Sequence, residues 1–288
     1  MNDNLKGSVL MVASMAGFAL EDMFIKSATA VVPVGQALII FGLIGMLVFC
    51  AMTARRGERL LHPAILTPPL AIRSACEVAA RLFYTLAIAL TLLSSASAIL
   101  QATPLVVAMG AVLFFHETVG WRRWSAIAIG FVGVLIILRP GLAGFEFASI
   151  FAVLGTLGFA GRDLATRAAP PTMSNRQLGI YGFAMLIVAG TILLSITGGA
   201  IWPDVWTWIN LCAATLFGVA GYYAITAAMR IGEISFVTPF RYTRLVFAMV
   251  LGILVFAERP DALTIIGSLV IVGSGLYTVF RSRKVDGP

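Results

Sequence analysis

Charge is what this sequence has least of. Asp, Glu, Lys and Arg together make 11% of it, where a soluble domain carries about a quarter, so one large water-soluble core is a poor explanation. Histidine occurs only twice, as His62 and His116, which leaves little from which to build a metal or triad site. Of the three cysteines, Cys50, Cys76 and Cys212, each stands in an apolar stretch without metal-ligand spacing and reads as a small packing residue. No Walker loop, HExxH or GxSxG occurs, so ATP is not expected to be the direct energy source and no cofactor is called for. The run GTLGFAG, Gly155 to Gly161, is not a dinucleotide fingerprint. Glycines three apart in a membrane helix serve close helix contact instead.

What the sequence has is hydrocarbon. Hydrophobic residues make 60% of it, and the mean hydropathy is +0.98. Apolar runs of about 17–25 residues recur, the length that crosses about 30 Å of lipid as helix. Most lack the polar face that a soluble amphipathic helix needs. The expectation is an all-α integral membrane protein with ten transmembrane helices, at about residues 7–27, 33–54, 69–91, 95–115, 122–138, 146–165, 177–197, 206–229, 233–256 and 261–281. The first span is too long, and too charged at its far end, for a cleaved signal peptide. With the amino terminus inside, Lys6, Arg55, Arg56, Arg59, Arg122, Arg123, Arg167, Arg176, Arg230, Arg281, Arg283 and Lys284 fall on the cytoplasmic side. Only Lys26, Arg139 and Arg259 fall outside, so both termini are expected to be cytoplasmic. The same bias accounts for the net charge of +7, and no nucleic-acid partner is needed to explain it.

Sliding the sequence over itself by 141 residues exposes a repeat. GFALEDMFIKSA (Gly17 to Ala28) falls on GFAGRDLATRAA (Gly158 to Ala169), and LFFHE (Leu113 to Glu117) falls on LVFAE (Leu254 to Glu258). Gln36 falls on Gln177, Ala79 on Ala220, Thr85 on Thr226 and Ala87 on Ala228 in the same gapless register. The chain divides into residues 1–141 and 142–288, five helices each. Five is odd, so the second copy enters the membrane from the opposite side. Such inverted repeats are a transporter design, with two similar halves supplying two gates around a central substrate.

Ten helices in two halves, with a Glu closing the fourth and ninth, resemble the EamA branch of the drug/metabolite transporter superfamily. The stretch TPFRYTRLVFAMVLGILVFAE (Thr238 to Glu258) looks like that family's ninth helix, and Pro104 thirteen residues before Glu117 fits its fourth. The resemblance covers nearly the whole chain. It implies a carrier of small metabolites, and within the family the chain looks most like bacterial exporters of aromatic and other neutral amino acids. It also implies a binding site between the halves, in contact with helices 1, 3, 4, 6, 8 and 9. The implied partners are a small-molecule substrate, an amino acid or related metabolite, and membrane lipid. Ten helices already supply both halves, so a functional monomer is compatible.

Glu77, Arg81, Arg241 and Arg244 lie deep in these spans. Four such charges facing lipid would cost on the order of 10 kcal/mol, so they are expected to face a wet cavity or one another. Arg73, Glu77 and Arg81 form an i, i+4, i+8 stripe on the third span. A Glu77–Arg241 pair would leave Arg81 and Arg244 near the midplane for a substrate carboxylate, which guanidinium matches in bidentate fashion. The alternative is a closed network stapling the third and ninth helices. At the repeat offset Arg81 meets Tyr222 and Arg244 meets Thr103, so neither has a charged mate. Gln101 and its mate Tyr242 are the neighbouring polar candidates, and Tyr84, Tyr222, Tyr242 and Phe83 are candidate aromatic walls.

Glu21, Asp22 and Lys26 are candidates for an outer gate, and Arg162, Asp163 and Arg167 for an inner one. Asp22 with Lys26, and Asp163 with Arg167, are i, i+4 pairs, and simple helix-end solvation is the alternative. Glu21 opposite Arg162 is the one charge reversal between the copies. Glu117 and Glu258 read as interfacial anchors or helix-end partners, and Trp202, Trp206 and Trp208 as an interfacial aromatic belt. A membrane enzyme acting on lipid head groups would have only Glu58 with His62, or His116 with Glu117, to work with. A sensory protein would need an appended domain, and no segment is polar and long enough to be one.

Overall fold

The computed structural model describes residues 3–115, 121–139, 146–167, 173–231 and 238–282. His116 and Glu117 lie outside the described residues, as do the side chains of Arg167 and Arg230. Among the described residues the chain is helical and has no strand. In order it forms α1 (Asp3–Thr29), α2 (Val34–Ala54), α3 (Pro68–Leu90), α4 (Leu93–Leu100), α5 (Thr103–Phe115), α6 (Trp121–Leu138), α7 (Ser149–Arg167), α8 (Asn175–Thr197), α9 (Val205–Ile231), α10 (Thr243–Phe256) and α11 (Ala262–Ser282). Short 3-10 turns precede α3 (Pro63–Leu66) and α10 (Thr238–Tyr242).

The fourth span, expected as one helix over 95–115, is two. It breaks at Gln101 and Ala102 between α4 and α5. Pro104 lacks the N–H that would continue the α4 ladder back to Leu100, and it stands in the first turn of α5, where a proline is tolerated. The Thr103 hydroxyl donates to the Leu100 carbonyl at 2.5 Å, closing the end of α4. The ninth span is irregular at the matching place, because its 3-10 turn ends at Tyr242, the repeat mate of Gln101. Discontinuous helices at corresponding positions of two halves are where transporters free backbone groups for a substrate. Counting each broken helix as one crossing gives ten, and the chain returns to the face on which α1 begins, here the terminal face.

Helices pair mainly across the two halves: α1 with α9, α2 with α8, α3 with α7, and α6 with α11. The contacts are made by small residues, as lipid-immersed helices require. Along α7 a Cβ on Gly155 would stand 3.0 Å from the Tyr84 nitrogen, and one on Gly158 would stand 2.6 Å from the Ala80 nitrogen. One on Gly161 would meet Cys76 Sγ at 2.9 Å. The GTLGFAG run is therefore the seam with α3. The first half repeats the seam: Gly17 lies against Gly221, the mate of Ala80, and Ser14 Oγ donates to the Gly221 carbonyl at 2.7 Å.

Polarity runs inside out. Leu47, Phe114, Leu216, Val246, Leu254 and Leu269 are among many large apolar side chains left exposed as a lipid-facing girdle. Glu21, Asp22, Arg73 and Glu77 are buried. Five helical stretches (Leu5–Thr29, Val34–Ala54, Leu93–Phe114, Asn175–Thr197 and Val205–Ile225) are long and apolar enough to cross a membrane. α3 is less apolar because Arg73, Glu77 and Arg81 point inward. Outside the bundle, polar ties hold the connections. Glu58 accepts from Arg176 and Ser174, and these donors hold its carboxyl below the usual range. His62 accepts from the Ala64 nitrogen at 3.1 Å. These two residues, one of the two enzyme hints in the sequence, anchor a loop. Trp202 stacks edge-on with Trp208 at 6.1 Å and is exposed, as a belt residue should be.

Because the nearest obstacle at Gly158 is backbone, Gly158→Ala should force α3 from α7 and destabilise the protein by about 1–3 kcal/mol. Gly182, whose added Cβ would meet nothing within 4 Å, is the control. Melting temperatures in detergent should fall for Gly158→Ala and hold for Gly182→Ala.

Candidate substrate site

The repeated GFAxxD motif organises the site. In α1, next to Gly17 of the seam, Phe18 lies 5.2 Å beneath the Arg244 guanidinium. Asp22 Oδ2 accepts from Arg244 Nη2 at 2.6 Å and from the Tyr84 hydroxyl at 3.2 Å. In α7 the second Phe of the motif, Phe159, lies beneath both Arg162 (4.8 Å) and Arg81 (5.6 Å). The second Asp, Asp163, accepts from Arg162 Nη2 at 2.7 Å and faces Arg241 Nη2 at 3.8 Å. Each copy thus offers one ring face and one carboxylate to arginine, and both contacts are strengthened by exclusion of water.

Glu77 and Arg81 join the two motifs. Glu77 Oε1 takes Arg81 Nε at 3.3 Å and Arg162 Nη1 at 3.5 Å, while its Oε2 faces Arg73 Nη2 at 3.9 Å. Arg81 Nη1 then donates to Glu21 Oε1 at 2.9 Å. Two ion-pair groups, Asp22–Arg244 and the chain from Glu21 through Arg81, Glu77 and Arg162 to Asp163 and Arg241, meet at the neighbouring Glu21 and Asp22 in one cluster that spans α1, α3, α7, α10 and the turn before α10. Its members are four carboxylates (Glu21, Asp22, Glu77, Asp163) and five guanidiniums (Arg73, Arg81, Arg162, Arg241, Arg244). Counted over the described residues, the cluster carries one positive charge in excess. Exposure falls along it, from about a quarter of the side chain at Arg241 (28%) and Asp163 (25%) to 3% at Glu21.

Three expectations about these residues are corrected. Glu77 does not pair with Arg241, because Arg162 and Arg81 reach it first and Arg241 turns to Asp163. Arg81 and Arg244 are not left unpaired at the midplane, since Glu21 and Asp22 of α1 take them. Asp22 does not hold Lys26, and simple solvation does not explain Glu21 or Asp22, which are 2% and 3% exposed. The staple is real but wider than helices 3 and 9, because α1 supplies the carboxylates that hold Arg81 and Arg244. The expected Asp163–Arg167 pair involves a side chain outside the described residues.

The aromatic candidates separate. Tyr84 belongs to the cluster and also lies 3.4 Å from Ser97 Oγ of α4. Phe83 instead stacks on Phe151 at 6.1 Å, and Tyr222 packs edge-on against Phe49 at 5.4 Å. Gln101 Nε2 donates to the Arg241 carbonyl at 3.1 Å, tying one helix break to the other. Tyr242 is buried with its hydroxyl unpartnered.

Away from the terminal face the site is closed by a contact that the sequence signalled only through its repeated LxFxE. Glu258, following α10, accepts from the Leu93 and Ser94 nitrogens at 2.6 and 3.1 Å and from Ser94 Oγ at 2.8 Å. Its carboxylate thereby caps the first turn of α4 from the other half. Lys26 Nζ stands 3.7 Å from the same carboxylate and donates to the Ile88 and Thr91 carbonyls at the end of α3. Four elements meet at this one knot.

The model of the EamA-like transporter family matches residues 5–139 and matches again over residues 146–280. The chain belongs to the EamA-like transporter family. It is an all-helical, two-repeat member of the drug/metabolite transporter superfamily and a multi-pass membrane transporter. Among its relatives an S-adenosylmethionine uptake transporter of Rickettsia bellii is 24% identical over 204 residues, 70% of this chain and 68% of that protein. A riboflavin transporter of Vibrio cholerae is 29% identical over 65% of this chain and 63% of its own length. A pseudopaline exporter of Pseudomonas aeruginosa is 27% identical over 94% of this chain and 95% of its own. None of the three is named for amino-acid export. A solved crystal structure covers 93% of this chain and 98% of its own with a TM-score of 0.62 at 18% identity, so the two share a fold.

Replacing Glu258 by Ala strips two buried N–H groups and a lysine of their acceptor. The expected loss is about 2–4 kcal/mol of stability, read as a lower melting temperature in detergent. Glu258→Gln should recover part of it, because an amide oxygen still caps α4.

Proposed function

We propose that this EamA-type carrier exports small metabolites, aromatic and other neutral amino acids foremost, by alternating access across the bacterial inner membrane. Both termini face the cytoplasm in this reading. The observation that carries it is the surplus guanidinium in the buried cluster between the halves. That surplus offers a guanidinium to a substrate carboxylate, and Arg81 and Arg244 are its receivers.

The energetics suit a carrier. A carboxylate binding Arg244 displaces Asp22, and one binding Arg81 displaces Glu21, so one buried pair is exchanged for another. Creating an ion pair in a dry interior is costly, whereas swapping partners is not, and a substrate held this way can leave. The Asp22–Arg244 pair joins α1 to α10 across the halves, and the Glu21–Arg81 pair joins α1 to α3 within the first, so a carboxylate at Arg244 loosens a contact between the halves. Glu21, Asp22 and Lys26, with the Glu258 knot, form the outer gate. Arg162, Asp163 and Arg167 form the inner gate. Tyr84 lines the site, with Gln101, Tyr222 and Tyr242 around it and Glu77 holding Arg81 in place.

A second reading, transport of another organic anion or a cofactor-like metabolite, is supported by the same surplus and by the different compounds for which the relatives are named. Export of labelled phenylalanine from proteoliposomes, with organic anions and vitamins as competitors, separates the two. Arg81→Ala and Arg244→Ala should each lower phenylalanine transport about tenfold or more, the worth of one charge-assisted hydrogen bond, with insertion unchanged. Wild-type rates in both variants would overturn the assignment. Competition by the organic anions alone would favour the second reading.

A further inference from the structure

The repeat pairs α3 with α7 in one place and α9 with α1 in the other, so their facing residues can be compared. Glu77 of α3 faces Arg162 of α7 at 3.5 Å. At the repeat offset Glu77 falls on Gly218 of α9, and Arg162 falls on Glu21 of α1. The mirrored position thus holds a carboxylate against a glycine: a Cβ built on Gly218 would stand 3.0 Å from Glu21 Oε2. One helix pair carries an ion pair across its seam, whereas in the other the acid faces a glycine and takes its cation from Arg81 of α3 instead.

Glu21 itself is only half satisfied. Its Oε1 accepts from Arg81, while its Oε2 is buried with no hydrogen-bond partner, in a residue 2% exposed. A buried carboxylate oxygen without a donor costs more than an ordinary unmade hydrogen bond, and Gly218 brings no side chain to supply one. Arg244, whose guanidinium is held by neighbouring Asp22, also keeps its Nε buried and unpartnered. An unmet acceptor and an unmet donor therefore lie on adjoining members of one cluster.

We infer that Glu21 Oε2, beside Gly218, is the subsite for the substrate's ammonium group, so that the cluster selects zwitterions over simple anions. The inference rests on the proposal that Arg81 and Arg244 receive a carboxylate, and it adds the charge logic. When a substrate carboxylate draws Arg81 away, Glu21 loses its one cation in a site that water does not reach. A simple anion leaves that acid bare. A zwitterion brings the replacement with it, and the summed charge of the site is unchanged by the exchange.

Three probes differing by one group test this: phenylalanine, 3-phenylpropionate, which lacks the amine, and 2-phenylethylamine, which lacks the carboxylate. Their affinities for purified wild-type protein and for the near-isosteric Glu21→Gln would be measured by calorimetry, with elution volume in detergent as the check on folding. Wild type should prefer phenylalanine to 3-phenylpropionate by about tenfold or more. In Glu21→Gln that ratio should collapse toward one, with 3-phenylpropionate bound as well as before or better. An unchanged ratio in a folded Glu21→Gln would overturn the ammonium subsite while leaving the carboxylate site standing. Wild-type binding of 2-phenylethylamine alone, lost in Glu21→Gln, would support the subsite and overturn the carboxylate proposal. No binding of any probe to wild type would overturn both.

Discussion

A guanidinium at bilayer depth must have a carboxylate within reach, and most of this architecture follows from meeting that demand both within each half and between the two. Arg244 of α10 finds Asp22 of α1, Arg162 of α7 finds Glu77 of α3, and Arg81 of α3 bridges to Glu21. Removing one member would leave its partner uncompensated, which costs several kcal/mol in a dry interior. Glycine seams on α1 and α7 bring the backbones close enough for these pairs to form. The polar cluster and the small-residue contacts are thus one device: the seam sets the approach and the charges set the register.

The departures from symmetry are as informative as the symmetry. Both halves keep the ring and the carboxylate of GFAxxD and break a helix at Gln101 and Tyr242. Only the first half places Arg73, Glu77 and Arg81 on its third helix, where the second has Ala214, Gly218 and Tyr222. Structure alone would be served by repeating the stripe or omitting it twice. Placing it once creates, among the described residues, a cluster with one more guanidinium than carboxylate and one half-satisfied acid, the polarity a site needs to orient a small charged molecule.

Much of the fold was legible because membrane helices announce themselves by length and the repeat by a gapless register. GFAxxD and LxFxE also pointed to the residues that matter, since Asp22, Asp163 and Glu258 all make contacts between elements. Partner choice was not legible. Local spacing suggested that Asp22 would hold Lys26, whereas Lys26 sits at the end of α1 beside the α3 carbonyls and Glu258. Depth along a span suggested Glu77 with Arg241, because depth gives height in the membrane but not which helix stands opposite. The break after α4 was missed for a related reason: the apolar run continues unbroken through Gln101, and only Pro104 betrays it.

The central claim is that the paired halves form a carrier whose moving part is this exchangeable ion cluster. Counterflow in liposomes containing only this protein tests it most directly, with no ATP and no imposed ion gradient. The account predicts that unlabelled phenylalanine inside the vesicles accelerates saturable entry of labelled phenylalanine. Folded, correctly inserted protein that exchanges neither phenylalanine nor any other metabolite of a broad panel would contradict it.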